Sequence, residues 1–424
     1  MPVLERFIPV RKKNMERMEE KVPGTKYEPL QYFLSDSNWA WHPVNDQVAK
    51  DANKILGGKR DSALLIDECG IPKKGKMSVG VSRQWCGQLG KTDNCQVAVF
   101  ATLGYGRFST PIDYRLYLPK SWTDDVERCL KAKVPADTIV FKTKHEQALE
   151  MVFHARKNGV RFNWVGCDGF YGSNPQFLRE LDDNDEIFMA DVHKNQLVYL
   201  EDPNPVVPEA KSNKGKRPSK LKAQTQDVRV DKWVEQQPDN AWKRVKVRKT
   251  TKGQLIVDIL DREVWLWDGK EAEARKWHLV VRREINSPGE IKYSLSNAPS
   301  KTSTRRLAYM QAQRYWVERP FQDAKNECGM GDYQARGWLA WHHHMTMVMM
   351  AMLFMIEQRL YHQVGVPLLS CTDITTLLKS ILPRRDMGED EIIRQLRERH
   401  RKRQASIDFA YDKQRNSDLL PQPL

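Results

Sequence analysis

Apolar residues in the first half of the chain fall in short runs bounded by turn-formers and alternate with stretches of helical spacing. Ser62–Asp67 reads SALLID, the kind of run that a buried strand makes. Glycines then cluster through GIPKKGKMSVGVSRQWCGQLGK, which predicts a hairpin with a basic turn, and CQVAVFATLGYG predicts a further strand. From Lys142 to Asn158 the apolar positions return at helical spacing, and Asn158 with Gly159 supplies the stop. RFNWVGCD predicts a buried strand ending at Asp168. Asn174 and Pro175 then pair an N-cap with proline at the first helical position, and EIFMADVH predicts one more strand. The order strand, hairpin, strand, helix, strand, helix, strand fits a mixed α/β layer architecture.

Residues 1–60 are polar and mixed in charge, and predict helices and loops. Between about 200 and 300 the rhythm changes. A proline-rich link, DPNPVVPE, opens into the basic, turn-forming KSNKGKRPSKLK. After it RVKVRK, GQLIVDIL, EVWLW, KWHLVVRREI and EIKYSLS each alternate with the period of a strand, so this is a β-rich insertion in the α/β domain. Helices resume near Ser303 and continue to Gly365. The chain then carries a dense basic run, RQLRERHRKR, and a polar tail expected to be disordered.

The composition is that of a globular protein, and 424 residues suffice for two or three ordinary cores. A net charge of +14 and an isoelectric point of 9.3 favour a polyanionic partner, although an unspecialised basic surface accounts equally well for charge alone. The seven cysteines include no CxxC pair, and their odd number closes no disulfide framework. A reducing, cytoplasmic setting follows. The N-terminus lacks the apolar core of a signal peptide, and the apolar run near Met345–Ile356 is too short to span a bilayer, so no membrane association is expected.

Asp67 and Asp168 each close an apolar run, where α/β sheets gather ligands. Singly, such an aspartate is more often a turn residue. On a helix that advances 100° per residue, Arg314, Glu318 and Lys325 fall within about 40° of one another. That face suits a metal-bound phosphodiester, with the carboxylate on the metal and the cations on phosphates; a salt-bridged surface face has the same spacing. Three carboxylates from separate elements suit Mg²⁺ or Mn²⁺, and two such ions support in-line phosphoryl transfer.

LLIDECGIPKKGKMSVGVSRQWCGQLGKTDNCQVAV, GCDGFYG and RYWVERPFQDAKNECGMGDYQARGWLAWHHH resemble, in order, the three catalytic segments of bacterial DDE-class insertion-sequence transposases. The branch they resemble is insertion-sequence family 701, of the group with a Tyr-Arg-Glu-Lys signature. Arg314, Glu318 and Lys325 reproduce the last three signature positions; the tyrosine position, 311, is Gln. The resemblance implies an RNase H-like core at 61–199 and 301–365, interrupted by the β-rich insertion at 200–300. An N-terminal helical, DNA-binding region (1–60) and a basic C-terminal region (366–424), for DNA contact or oligomerisation, flank it. It implies cut-and-paste transposition on double-stranded DNA by a homodimer or higher oligomer in the bacterial cytoplasm, at the nucleoid. Asp67, Asp168 and Glu318 are then catalytic and hold two Mg²⁺, with Mn²⁺ as a substitute. Arg314, Lys325 and the hairpin lysines Lys73, Lys74 and Lys76 are the candidates for DNA phosphates. A nuclease or resolvase that cuts without joining, and a catalytically silent DNA-binding derivative, are the competing readings.

Gly87, Gly90, Lys91 and Thr92 lack the four-residue gap of a P-loop, so no nucleotide cofactor is implied. Consecutive His342, His343 and His344 point 100° apart on a helix and predict packing rather than a metal site. Trp265, Trp267 and Trp277 in the insertion are core candidates, with base stacking as the functional alternative. The basic stretches 211–222, 244–252 and 394–403 are candidate backbone-binding surfaces.

Overall fold

The SALLID run lies at the middle of a wide mixed sheet. The computed structural model describes residues 14–209, 217–250, 253–285, 287–332 and 334–418. In chain order the strands are β1 (Ser62–Pro72), β2 (Ser82–Cys86), β3 (Lys91–Tyr105), β4 (Phe108–Leu116), β5 (Trp164–Cys167) and β6 (Phe188–Val192). They continue as β7 (Leu197–Tyr199), β8 (Asp227–Arg229), β9 (Lys243–Thr250), β10 (Gly253–Leu266), β11 (Arg275–Glu284) and β12 (Ser287–Ser296). The order across the sheet is β2-β3-β1-β5-β6-β12-β11-β10-β7-β8, with β4 beside β3 and β9 beside β10.

β1 is the hinge of this arrangement. It pairs antiparallel with β3 along its whole length and parallel with β5 over its first half. Ala63, Leu64, Leu65 and Ile66 are buried, as a strand covered on both faces requires. The helix Lys144–Lys157 begins with a capping box from Thr143 and Glu146, buries Ala148, Met151, Val152 and Ala155, and ends where Gly159 turns to φ 75°. Asn174 caps the helix Pro175–Asp183 through the Phe177 N–H.

Strands β9–β12, from the stretch that alternates between 200 and 300, do not stand apart. β12 pairs with β6 at Leu295↔Ala190 and Ser294↔Asp191, so they extend the same sheet. Of the basic stretches 211–222 and 244–252, residues 211–216, 251 and 252 lie outside the described residues.

Asp67, Phe100 and Tyr114 are aligned across β1, β3 and β4 and therefore share a face. Helices cover it. Phe321, on the helix Tyr315–Glu327, meets Phe100 edge-on at 5.3 Å, and the Tyr114 hydroxyl donates to the His342 carbonyl at 2.8 Å. His342 belongs to the helix Trp338–Tyr361. By length and composition that helix could cross a membrane, but 83% of its most apolar window is buried inside the fold, as in a core helix.

Two expectations need correction. Of the kink or helix start that Pro320 suggests in the sequence, the helix start is not there: the new helix begins five residues earlier, at Tyr315, and Pro320 lies inside it. Proline has no N–H to give the Trp316 carbonyl, and Ser109 Oγ on β4 donates to that carbonyl instead, at 2.7 Å. The tail expected to be disordered is helical as far as Asp418, in the single helix Glu389–Asp418, and residues 419–424 lie outside the described residues. Same-face pairs such as Arg394–Glu391, Arg401–Glu398 and Gln404–Asp408 line it, and Arg399 ties it to Glu20 near the N-terminus.

Ser109→Ala is expected to destabilise the protein by about 1–2 kcal/mol in urea unfolding, because it orphans the Trp316 carbonyl. In a Pro320→Ala background the added amide supplies the missing donor, so the cost should shrink; an equal loss in both backgrounds counts against this account.

Candidate active site

Parallel register builds the centre of the site. β1 and β5 pair from Ala63↔Trp164 to Ile66↔Cys167, and the next residues are Asp67 and Asp168. The two carboxylates therefore emerge from neighbouring strands about 4.8 Å apart. β5 stops because Asp168 caps the short helix Gly169–Gly172, its Oδ1 accepting from the N–H groups of Phe170 at 3.0 Å and Tyr171 at 3.4 Å. Gly172 allows this turn to lie on β6: a Cβ there would stand 2.0 Å from the Asp191 carbonyl oxygen. Asp67 does not end its strand as the run SALLID suggests. β1 continues to Pro72, because β3 pairs its other edge as far as Cys95.

Asp67 is half-buried, and its Oδ1 accepts from the Glu68 N–H at 2.7 Å. Burial, and then the negative charge of Asp168, push its pKa up to about 7, against the weaker pull of the Glu68 amide and Arg314.

Arg314 is the compensating charge. It is the single residue between the helices Thr304–Gln313 and Tyr315–Glu327, with its backbone still in the right-handed helical region. Its Nε lies 2.7 Å from Asp191 Oδ2 and its Nη2 lies 3.8 Å from Glu318 Oε1. Burial works to lower the pKa of Arg314, but Asp191, Asp67, Asp168 and Glu318 outweigh it and raise it. Asp191 is itself held: its Oδ1 accepts from Ser294 Oγ at 2.6 Å, and Ser294 Oγ is 2.8 Å from Gln311 Nε2. Gln311, where the signature has tyrosine, is buried in this chain of bonds and orients Arg314 from behind.

Glu318 lies one turn beyond Arg314, with its side chain 60% exposed. Lys325 reaches the Cys69 thiol, two residues past Asp67 on the same face. Burial raises the pKa of that thiol, while the Lys325 ammonium hydrogen-bonded to it acts the other way. Asp67, Asp168, Glu318, Arg314 and Lys325 are thus brought to one region. Lys73, Lys74 and Lys76 are not, since β1 carries them on the order of 20 Å beyond Asp67. Lys73 is half-buried there, and burial pulls its pKa down to about 8 despite Asp332. Lys74 and Lys76 are exposed on the hairpin turn.

The three consecutive histidines face different neighbours. His342 stacks on Trp41 at 4.1 Å, His343 lies 2.9 Å from the Leu34 carbonyl and 3.0 Å from that of Trp39, and His344 lies 3.0 Å from that of Gly329. Trp277 packs edge-on against Phe188, and Trp267 donates to the Glu271 carbonyl. Among the described residues, no group of three His, Cys, Asp or Glu side chains is arranged to hold a metal ion. The positive charge of Arg314 is felt by Glu318 and by both aspartates.

Residues 6–254, more than half of the chain, match the family described as DDE superfamily endonuclease. The chain belongs to that family. It is also 25% identical over 326 residues to a probable transposase for insertion sequence element IS701 from Microchaete diplosiphon, covering 77% of this chain and 73% of that protein. Together these support a DDE transposase of the IS701 type. The family match includes both aspartates and ends before the helix that bears Glu318.

Sequence reasoning missed Asp191 and Ser294. Asp191 follows an apolar run in EIFMADVH, as Asp67 and Asp168 follow theirs, and that shared position was the available signal. Ser294 carries no comparable mark.

The raised pKa of Asp67 sets a pH dependence for the metal-free transposase. Between the ordinary carboxylate pKa and about 7, the folded state binds the extra proton, so this group's contribution to stability falls as pH rises through that window. Asp67→Asn removes the titration. Melting in EDTA should therefore show the variant above wild type at pH 8, with the gap closing towards pH 4; a gap independent of pH refutes the assignment.

Proposed function

We propose that this transposase cuts double-stranded DNA at the ends of an insertion sequence and joins the freed 3′-hydroxyl to target DNA, with Asp67, Asp168 and Glu318 as its catalytic carboxylates. The observation that carries this reading is the β1–β5 register, which sets Asp67 beside Asp168 under an arginine that also reaches Glu318. The strand order β4-β3-β1-β5-β6, antiparallel on one side of β1 and parallel on the other, supports an RNase H-like core into which residues 200–300 are inserted. A probable transposase among its relatives supports DNA as the substrate.

The donor set fits hard divalent cations. All three candidate ligands offer carboxylate oxygens, and a cation would offset both the burial and the charge of Asp168 that raise the pKa of Asp67. Asp67 and Asp168 would hold Mg²⁺, or Mn²⁺ in its place, and Glu318 would complete the site from the exposed helix turn. Two such ions would supply Lewis acidity for in-line displacement at phosphorus. In cleavage, a water oxygen bonds to phosphorus, the P–O3′ bond breaks and the 3′-oxygen takes up a proton. In joining, that 3′-hydroxyl loses its proton and attacks a target phosphorus, and the target's own O3′ leaves. Arg314 and Lys325 hold positive charge beside the phosphate, and the backbone bonds of Asp67 and Asp168 keep the acids in place without rearrangement. The enzyme acts in the bacterial cytoplasm as a dimer or larger assembly on paired DNA ends.

The test uses labelled duplex bearing the element's terminal sequence, a target plasmid and Mg²⁺. Asp67→Asn, Asp168→Asn and Glu318→Gln should each cut cleavage and joining by about 10³-fold or more while end binding persists. EDTA should abolish the chemistry and Mg²⁺ restore it. Cleavage without joined product would favour a simple nuclease, and wild-type rates in all three variants would place the chemistry elsewhere.

A further inference from the structure

A second set of guanidinium groups lies beside the carboxylates. Arg248 is on β9, which among the described residues pairs with β10 alone. Its guanidinium carbon stands 4.7 Å from the centre of the Trp316 ring and 5.7 Å from that of Tyr315. Those two rings form the first turn of the helix that carries Glu318, and Tyr315 is 56% exposed. Arg282, on β11, is buried, with Glu284 Oε1 at 3.3 Å. The Nε atoms of both arginines are buried and have no hydrogen-bond partner.

The surroundings of Arg248 are unusual for a half-buried cation. Burial lowers its pKa, and the other charge that lowers it is a second cation, Arg282. No carboxylate forms a salt bridge with Arg248 among the described residues. Withdrawing a cation from water without an anion is unfavourable, and stacking on Trp316 offsets only part of that. A guanidinium held over a ring face keeps its N–H donors, and they offer the fork that suits phosphate oxygens. The same helix turn presents the 60% exposed Glu318 side chain three residues beyond Tyr315. An anion lying along this turn meets Glu318, the Tyr315 ring and the Arg248 fork in succession.

We infer that Arg248, seated on Trp316 and Tyr315 with Arg282 behind it, binds a backbone phosphate of the DNA strand that passes Glu318, close to the bond that is cut. This rests on the function proposed above, which brings a DNA strand to Glu318. Arg248 is a positioning residue: it fixes where the strand lies and does not touch the reacting atoms.

The test measures binding of the full-length transposase to duplex of the element's terminal sequence, without divalent metal so that no chemistry intervenes. Arg248→Gln should weaken binding about tenfold and reduce the slope of log affinity against log salt by about 0.9, the share of one phosphate. A methylphosphonate scan should find one uncharged position near the cleavage site that weakens wild type and leaves Arg248→Gln unaffected. Arg248→Lys, which keeps the charge and loses the flat fork, should show the same position with a smaller loss, and thermal melting of both variants checks the fold. An unchanged slope, or an interference pattern identical in wild type and variants, overturns the phosphate site even where end cleavage proceeds. The expected pattern in a protein that binds but never cleaves upholds the phosphate site and strikes the proposed reaction instead.

Discussion

The constraint on which the site depends is the forced proximity of two like charges. The parallel register of β1 and β5 leaves Asp67 and Asp168 no choice but to emerge together. At about 5 Å and an effective dielectric of about 20, two unit charges repel by roughly 3 kcal/mol. The protein meets this in two ways. Burial, reinforced by the charge of Asp168, lets Asp67 retain its proton up to about pH 7, and one arginine is placed where four carboxylates act on it. Tyr171 behind the site is affected too: burial, and then the charges of Glu68, Asp67 and Asp168, raise its phenol well above the usual range and keep it neutral.

Placing that arginine requires segments far apart in the chain. Gln311, Ser294, Asp191 and Arg314 form a run of hydrogen bonds and an ion pair across the helix Thr304–Gln313, the residue that follows it, β12 and β6. Ser294 and Asp191 face each other directly as a cross-strand pair, so the β-rich stretch supplies a part of the site and not merely an appendage. The departure at 311 makes sense in this setting. A glutamine amide donates to Ser294 Oγ and to the Val280 carbonyl at once, which a single phenol hydrogen could not do.

What was legible in the sequence was whatever local pattern determines. SALLID and RFNWVGCD announce strands and made Asp67 and Asp168 candidates, but a lone aspartate there is more often a turn residue, and it took the resemblance of their segments to catalytic ones to name them without the register that joins them. Glu318 came from the resemblance of its segment to a third catalytic segment, since helical spacing alone fits a salt-bridged surface face as well; that spacing survives the break at Arg314 because the backbone there stays helical. What was not legible depends on pairings between distant segments. Ser109 could not be matched to Pro320 from a sequence distance of more than two hundred residues, and the misplaced helix start follows from that. The hairpin lysines look like a phosphate site because they follow Asp67 closely in sequence, but an extended strand converts a few residues into many ångströms. The C-terminal tail has a disordered composition, and its helix depends on charge pairs at helical spacing and on the anchor between Arg399 and Glu20.

A DNA-cutting site of this kind has to reconcile an acidic centre with a polyanionic substrate, and two ranges of electrostatics make that possible. The net charge of +14 attracts a duplex from a distance, but at physiological salt its reach is only about 8 Å beyond the surface. Inside that distance the local carboxylates repel phosphate, and only nearby cations counter them. Arg314 is largely committed to Asp191, so it cannot alone draw the strand inward. Cations at the rim are needed that the acids have not already neutralised. Of Arg248 on β9 and Arg282 on β11, Arg282 is partly taken up by Glu284, whereas Arg248 is balanced by a ring rather than by an acid. An aromatic plate holds a guanidinium in place without cancelling its charge, which an ion pair cannot do. The fold thus uses ion pairs where an arginine must stay, and an aromatic face where its charge must remain available.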